Sequence, residues 1–236
     1  LNFSTLPFLA VSTVAASPLD YGNLSGWWDA NFLGYADATP IDNASAKWTD
    51  RSGNANHMFQ ATAANQPKLK TSIINGKKVV RFDSSAAPNN DLLSLTSAIT
   101  LSGNFTVIVV GLVNADSILF SNSGANEQFR RYTSSAEVMS LFLSSTATSS
   151  TLGTAHGSVH MMTWRRSGVG IYFRENKTDR TTGGPSNAST FTINQMSKFD
   201  LLAGDIGEAM IYSAYRSDAE CDNLYDNYLK AKWGLP

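Results

Sequence analysis

The chain has 236 residues, 42% of them hydrophobic and 16% charged, which supplies a sizeable core and argues against a disordered chain. Its 18 Lys plus Arg against 19 Asp plus Glu leave a formal charge of -1, so charge gives no general case for nucleic acid or for an anionic membrane. The single cysteine, Cys221, excludes an internal disulfide framework and a cysteine-rich metal site, and the apolar runs fall short of the roughly 18 residues a membrane span requires.

In chain order, Leu6–Val11 and Val14–Ala16 faintly resemble a signal-peptide apolar region and its small-residue cleavage site. No Lys or Arg precedes Lys47, and Ser4, Thr5, Ser12 and Thr13 interrupt the run, so residues 1–20 are read as a first strand or as an N-terminal arm or linker from an upstream region. The remainder, 21–236, is read as one domain, because it shows no repeat, charge block or compositional break.

Short strands punctuated by polar loops follow. Asn75-Gly76 lies between the β-prone runs 72–74 and 77–82, the strongest short hairpin signal. The run 104–113 is nearly continuous and β-branched, which suits a strand covered on both faces. Further strands are expected at 117–120, 137–143, 191–193 and 201–212. A hairpin is expected from 159–165 and 169–174 about Arg166-Ser-Gly168. Three polar stretches, 84–90, 144–157 and 181–189, are read as loops. Ser217-Asp-Ala-Glu220 is a capping box opening the one confident helix. Cys221, Leu224, Tyr225, Tyr228 and Leu229 then form an apolar stripe that Trp233 continues. Cys221 is read there as a buried apolar residue rather than a nucleophile.

Several segments carry a family resemblance. Gly26-Trp-Trp-Asp-Ala30, Lys47-Trp-Thr-Asp-Arg-Ser-Gly-Asn-Ala-Asn-His57 and Ile74-Asn-Gly-Lys-Lys-Val-Val-Arg-Phe-Asp83 resemble the opening signatures of LamG-like domains. Phe105–Gly111, Gly204–Tyr212 and Ser217–Gly234 resemble their later ones. LamG-like domains are concanavalin A-like lectin/glucanase jelly rolls, common in bacterial surface and phage structural proteins. The resemblance covers about 24–235. It implies an all-β, two-sheet antiparallel jelly-roll sandwich with one short C-terminal helix, which agrees with the strand and turn pattern. It also implies that Trp28, Asp29, Trp48, Asp50, Asn54 and His57 recur for packing and turn chemistry rather than as a ligand site.

A retaining glycosidase needs two carboxyl groups about 5–5.5 Å apart. Related glucanases carry a Glu-x-Asp-x-Glu type cluster, whereas Glu127, Glu137, Glu175, Glu208 and Glu220 are scattered here. Asp200, Asp205 and Glu208 come nearest, and Glu208 falls where the family has a recurrent strand glutamate, for which a structural role is expected. His156 and His160 lack the helical spacing of a zinc pair. No cofactor is expected. Calcium held by scattered loop oxygens is the one ion left open. The sequons at Asn2, Asn23, Asn43, Asn104, Asn176 and Asn187 are near chance frequency.

Two sugar-binding patches are expected. Trp164, Tyr172 and Arg174 would form a stacking platform with a donor fork if the two rings share the open face of a sheet. Arg130 and Tyr132, within Phe129-Arg-Arg-Tyr132, would suit an acidic sugar. The leading expectation is therefore a non-catalytic glycan-binding domain of a virion or bacterial cell-surface protein. Its partners would be a cell-surface glycan and, through the arm, other subunits of the same assembly. It would lie outside the cell or on a virion surface, with no nucleic-acid partner and no membrane span. The alternative is a structural or assembly domain without a sugar site, and a glycoside hydrolase comes third.

Overall fold

Alternating and continuous apolar runs become the two faces of one sheet and the inner face of another. The computed structural model describes residues 16–83, 91–114, 116–133, 137–143, 146–151, 157–198 and 202–236. The strands are β1 (Leu24–Asp29), β2 (Met58–Phe59), β3 (Lys68–Ile74), β4 (Lys77–Phe82), β5 (Leu93–Leu101), β6 (Phe105–Val113), β7 (Ser117–Ser121) and β8 (Gln128–Thr133). They continue with β9 (Glu137–Leu143), β10 (Thr146–Thr151), β11 (Val159–Ser167), β12 (Gly170–Glu175), β13 (Thr178–Asp179), β14 (Phe191–Met196) and β15 (Gly204–Tyr212). One antiparallel sheet runs β13-β12-β11-β6-β15-β4-β3, with β1 also paired to β15, and the other runs β10-β9-β8-β7-β14-β5-β2. This is the expected two-sheet sandwich.

Between the sheets lies a core that includes Trp28, Trp48, Phe120, Phe129 and Trp164. The eight-stranded sheet is apolar on its outer face too. There Trp27, Ile108, Met161 and Met210 meet Cys221, Leu224, Leu229 and Trp233 from the C-terminal helix. Burial on both faces explains why β6 and β15 are apolar almost throughout rather than alternating.

The helix is α1 (Asp218–Leu224), a π-helical turn over Tyr225–Leu229, and α2 (Lys230–Trp233). Ser217 Oγ accepts from the Glu220 backbone N–H at 3.3 Å, and Glu220 Oε2 accepts from the Ser217 N–H at 2.7 Å, closing the expected box. Gly234 ends it in the left-handed region at φ 65°. Gly207 on β15 is required by contact: a Cβ there would lie 2.6 Å from the Trp233 ring. Cys221 is buried, and that burial pushes its thiol pKa upward, away from nucleophilic use.

Three expectations are corrected. Thr146–Thr151, read as part of a polar loop, is strand β10. Its Thr and Ser residues lack apolar signal, yet they pair with residues 138–143 of β9. The β11–β12 turn is Gly168-Val169 rather than Arg166-Ser-Gly168, since Ser167 pairs with Gly170. Val169 therefore sits exposed on the turn and does not share the inner face of Ile171 and Phe173. The last long strand begins at Gly204 rather than 201. The Asn75-Gly76 turn forms as expected, with φ 48° and 70°. The loop at 84–90 lies outside the described residues.

Candidate functional site

Strand β1 places Trp27 and Asp29 on the outer face, opposite Met210 and Glu208 of β15. The C-terminal helix covers this pair and supplies its partners. Glu208 Oε1 accepts from Trp27 Nε1 and Tyr228 Oη, each at 2.7 Å. Glu208 Oε2 accepts from Trp233 Nε1 at 2.7 Å and Lys232 Nζ at 2.8 Å. Lys232 Nζ also donates to Asp29 Oδ2, bridging the two carboxylates. Both acids are buried. Burial and then the charge of Asp29 push the Glu208 carboxyl upward, against the pull of Lys232. Burial and then Glu208 push the Tyr228 phenol upward too, so it remains a neutral donor.

Three side chains of this knot, Trp27, Tyr228 and Lys232, also line an open groove of about 670 Å³, with Asn31 and Lys77 on its walls. A second depression of about 230 Å³ shares Phe32 and Arg51 with it. Asp29 caps the short 3-10 turn Ala30–Phe32 by accepting from the Asn31 N–H at 3.0 Å. That turn turns Phe32 outward, leaving it 61% exposed. The Arg51 guanidinium carbon lies 3.2 Å from the Phe32 ring centroid and 4.5 Å from that of Trp27. Arg51 is held there by its backbone, whose N–H donates to Trp27 O at 2.7 Å. Its Nη1 is buried without a hydrogen-bond partner among the described residues.

The turn that carries Arg51 is organised by Asp50. Its carboxylate accepts from the backbone N–H of Trp27, Ser52 and Asn56 at 2.8–2.9 Å. His57 Nδ1 accepts from the Asp50 N–H at 3.1 Å. Asn54 Nδ2 donates to Leu24 O at 2.7 Å. All three are the turn-building residues expected from the sequence.

The expected platform does not assemble. Trp164 is fully buried between the sheets, with its indole N–H on Ser140 O at 3.1 Å, so its ring is not available to a sugar. Trp164 pairs with Phe173, whereas Tyr172 pairs with Arg165 on the opposite face. Period-two alternation thus separates the two rings. Tyr172 is half-buried and packs edge-on against Tyr215 at 5.8 Å. Arg174 is only 3% exposed, and its Nη2 donates to Asp222 at 2.6 Å and Lys177 O at 2.7 Å. It clamps the helix to the sheet instead of facing solvent.

In the second patch Phe129 and Arg131 are buried, and Arg130 is half-buried with its guanidinium 5.7 Å from the Phe142 ring. The Tyr132 side chain lies outside the described residues. The carboxylate candidates are separately engaged. Asp205 takes a two-pronged bond from Arg81 at 2.7 and 2.8 Å. Glu175 is buried beside Arg180 at 3.0 Å and His160 at 3.7 Å. Asp200 and His156 lie outside the described residues. Among the described residues no group of three or more His, Cys, Asp or Glu is gathered as a metal site would be.

Sequence reasoning did not single out Phe32, Arg51, Lys77 and Tyr228, which line this groove, as candidate site residues. A signal was present: Trp27, Arg51, Lys77 and Lys232 fall in four of the segments that carry the family resemblance. Those segments are distant in sequence and meet at this groove.

No family profile matches the sequence, and no curated protein matches it by sequence. The fold does have solved counterparts. The binding domain of Paraclostridial Mosquitocidal Protein 1 superposes with a TM-score of 0.60 at 12% identity, over 93% of this chain and 56% of that one. A GH54 α-L-arabinofuranosidase gives a TM-score of 0.61 at 12% identity, over 94% of this chain and 66% of that one. Botulinum neurotoxin type C, in a structure whose subject is cell entry through two ganglioside molecules, gives 0.57 at 10% identity over 81% of this chain. This chain spans 51% of that toxin chain, so all three counterparts are longer than it is. At such identities the likeness is one of fold.

Proposed function

We propose that this is a non-catalytic, glycan-binding jelly-roll domain of the LamG-like kind, acting outside the cell on a bacterial or virion surface. The groove around Phe32 replaces the Trp164 platform as its binding face. The observation that carries this reading is an exposed phenyl ring with an arginine held against it, in an open groove. An aromatic face for the apolar side of a pyranose and directed donors for its hydroxyls are what sugar recognition uses. The structural counterparts, which include a toxin binding domain and a neurotoxin whose cell entry depends on two ganglioside molecules, point the same way. A binding rather than hydrolytic role is supported by Asp29 and Glu208. These carboxylates under the groove are buried and engaged by Lys232, Trp27, Tyr228 and Trp233.

A glycan-array screen of the wild type and Phe32→Ala, with calcium or with a chelator, tests the proposal. Specific signals that fall roughly tenfold or more in Phe32→Ala and ignore the chelator are expected. A blank array from folded protein would favour an assembly domain without a sugar site.

A further inference from the structure

The walls of the groove have a one-sided charge. Arg51, Lys77 and Lys232 line it, and no carboxylate does. The whole chain is nearly neutral at -1, so this excess is local. Lys232 is committed to Asp29 and Glu208. Arg51 and Lys77 have no ion-pair partner among the described residues.

Arg51 is also preorganised for an oxyanion. Its guanidinium carbon lies over the Phe32 and Trp27 rings, which hold the group in place while its N–H donors remain for a ligand. Arg51 makes no side-chain hydrogen bond among the described residues; its Nη1 is shielded from solvent, so Nε and Nη2 are the donors left for a ligand in the groove. A carboxylate or sulfate satisfies such donors with short charge-assisted bonds. Phe32 beside it offers an apolar face to a ring carrying the anionic group.

Resting on the glycan-binding reading above, we propose that the groove selects an acidic saccharide, its anionic group set against the N–H donors of Arg51, with Lys77 also lining the groove. Neutral glycans offer Arg51 only hydroxyl acceptors, without charge assistance, and bind more weakly.

The test is an array carrying carboxylated (sialylated and uronate-containing) and sulfated glycans with their neutral counterparts. It is probed with wild type, Arg51→Gln, Lys77→Gln and Phe32→Ala at about 0.05 and about 0.5 M NaCl, with poly-glutamate as a competitor. Thermal melts establish that each variant is folded. Signals confined to acidic glycans, weakened by salt and reduced roughly ten- to hundredfold in Arg51→Gln, are expected. Lys77→Gln, on an exposed hairpin, should give a smaller loss of the same kind and carries the test if Arg51→Gln does not fold. The carboxylated and sulfated arms show which anion is preferred. Neutral glycans bound as well as acidic ones, and lost only in Phe32→Ala, would overturn the acidic selection while leaving the glycan site standing. Equal competition by poly-glutamate would show a general anion surface and also overturn it. A blank array would overturn both readings together.

Discussion

The indoles of Trp27 and Trp233 donate to the two different oxygens of one buried carboxylate, Glu208, each at 2.7 Å. One indole comes from the first strand and the other from the final helix, so this carboxylate ties the two ends of the domain together. Lys232 and Tyr228 complete the set and present their other sides to the groove. The proposed binding face is therefore backed by a hydrogen-bonded knot rather than by a loop.

Lys232 is the cation of that knot. Lys232→Met keeps most of the side-chain volume and leaves Asp29 and Glu208 buried side by side without a countercharge. The expected loss is about 3–5 kcal/mol. It would be read as a lower urea midpoint with an unchanged slope. A midpoint equal to wild type would mean that the bridge contributes nothing.

Trp164 and Tyr172 should separate cleanly in a denaturation experiment. Trp164→Ala empties the space between the sheets and should cost about 3–5 kcal/mol. Tyr172→Ala removes a half-buried ring and its contact with Tyr215, for about 1–2 kcal/mol. Equal costs would contradict the opposite-face assignment.

The helix cap makes part of the stability sensitive to acid. Burial alone would raise the Glu220 carboxyl, but hydrogen bonds from Ser217 and then Arg216 outweigh it and hold the carboxyl below its ordinary range. As pH falls, the unfolded chain therefore takes up this proton first. The contribution is complete above the ordinary glutamate value of about 4.3 and is lost as pH falls through the lower folded value. Glu220→Gln keeps the shape of the cap and removes the titration, so its stability should fall less steeply than that of wild type on the acid side. Parallel acid limbs in chemical denaturation would contradict this.

Much of the fold is legible in sequence because it follows periodicity. The doubly covered β6, the Asn75-Gly76 hairpin and the Ser217–Glu220 cap are all local patterns with a local cause. β10 was hidden because a Ser/Thr-rich strand carries no apolar alternation. The site was harder. Period-two alternation predicts that Tyr172 and Arg174 share a face, as they do, but not that the helix covers it and takes Arg174 with Asp222. Nor does any local pattern bring Phe32, Arg51, Lys77 and Tyr228 together, since the sequence separations between them are closed only by the β1–β15 pairing and the returning helix.

The most direct test of the central claim follows the indole N–H resonances of the five tryptophans during titration with a glycan identified on the array. Trp27 lines the groove and donates to Glu208, whereas the Trp164 indole is sealed between the sheets on Ser140 O. The account predicts a saturable shift of the Trp27 signal with Trp164 unmoved. A shift at Trp164 with Trp27 unchanged would contradict it and place the ligand elsewhere.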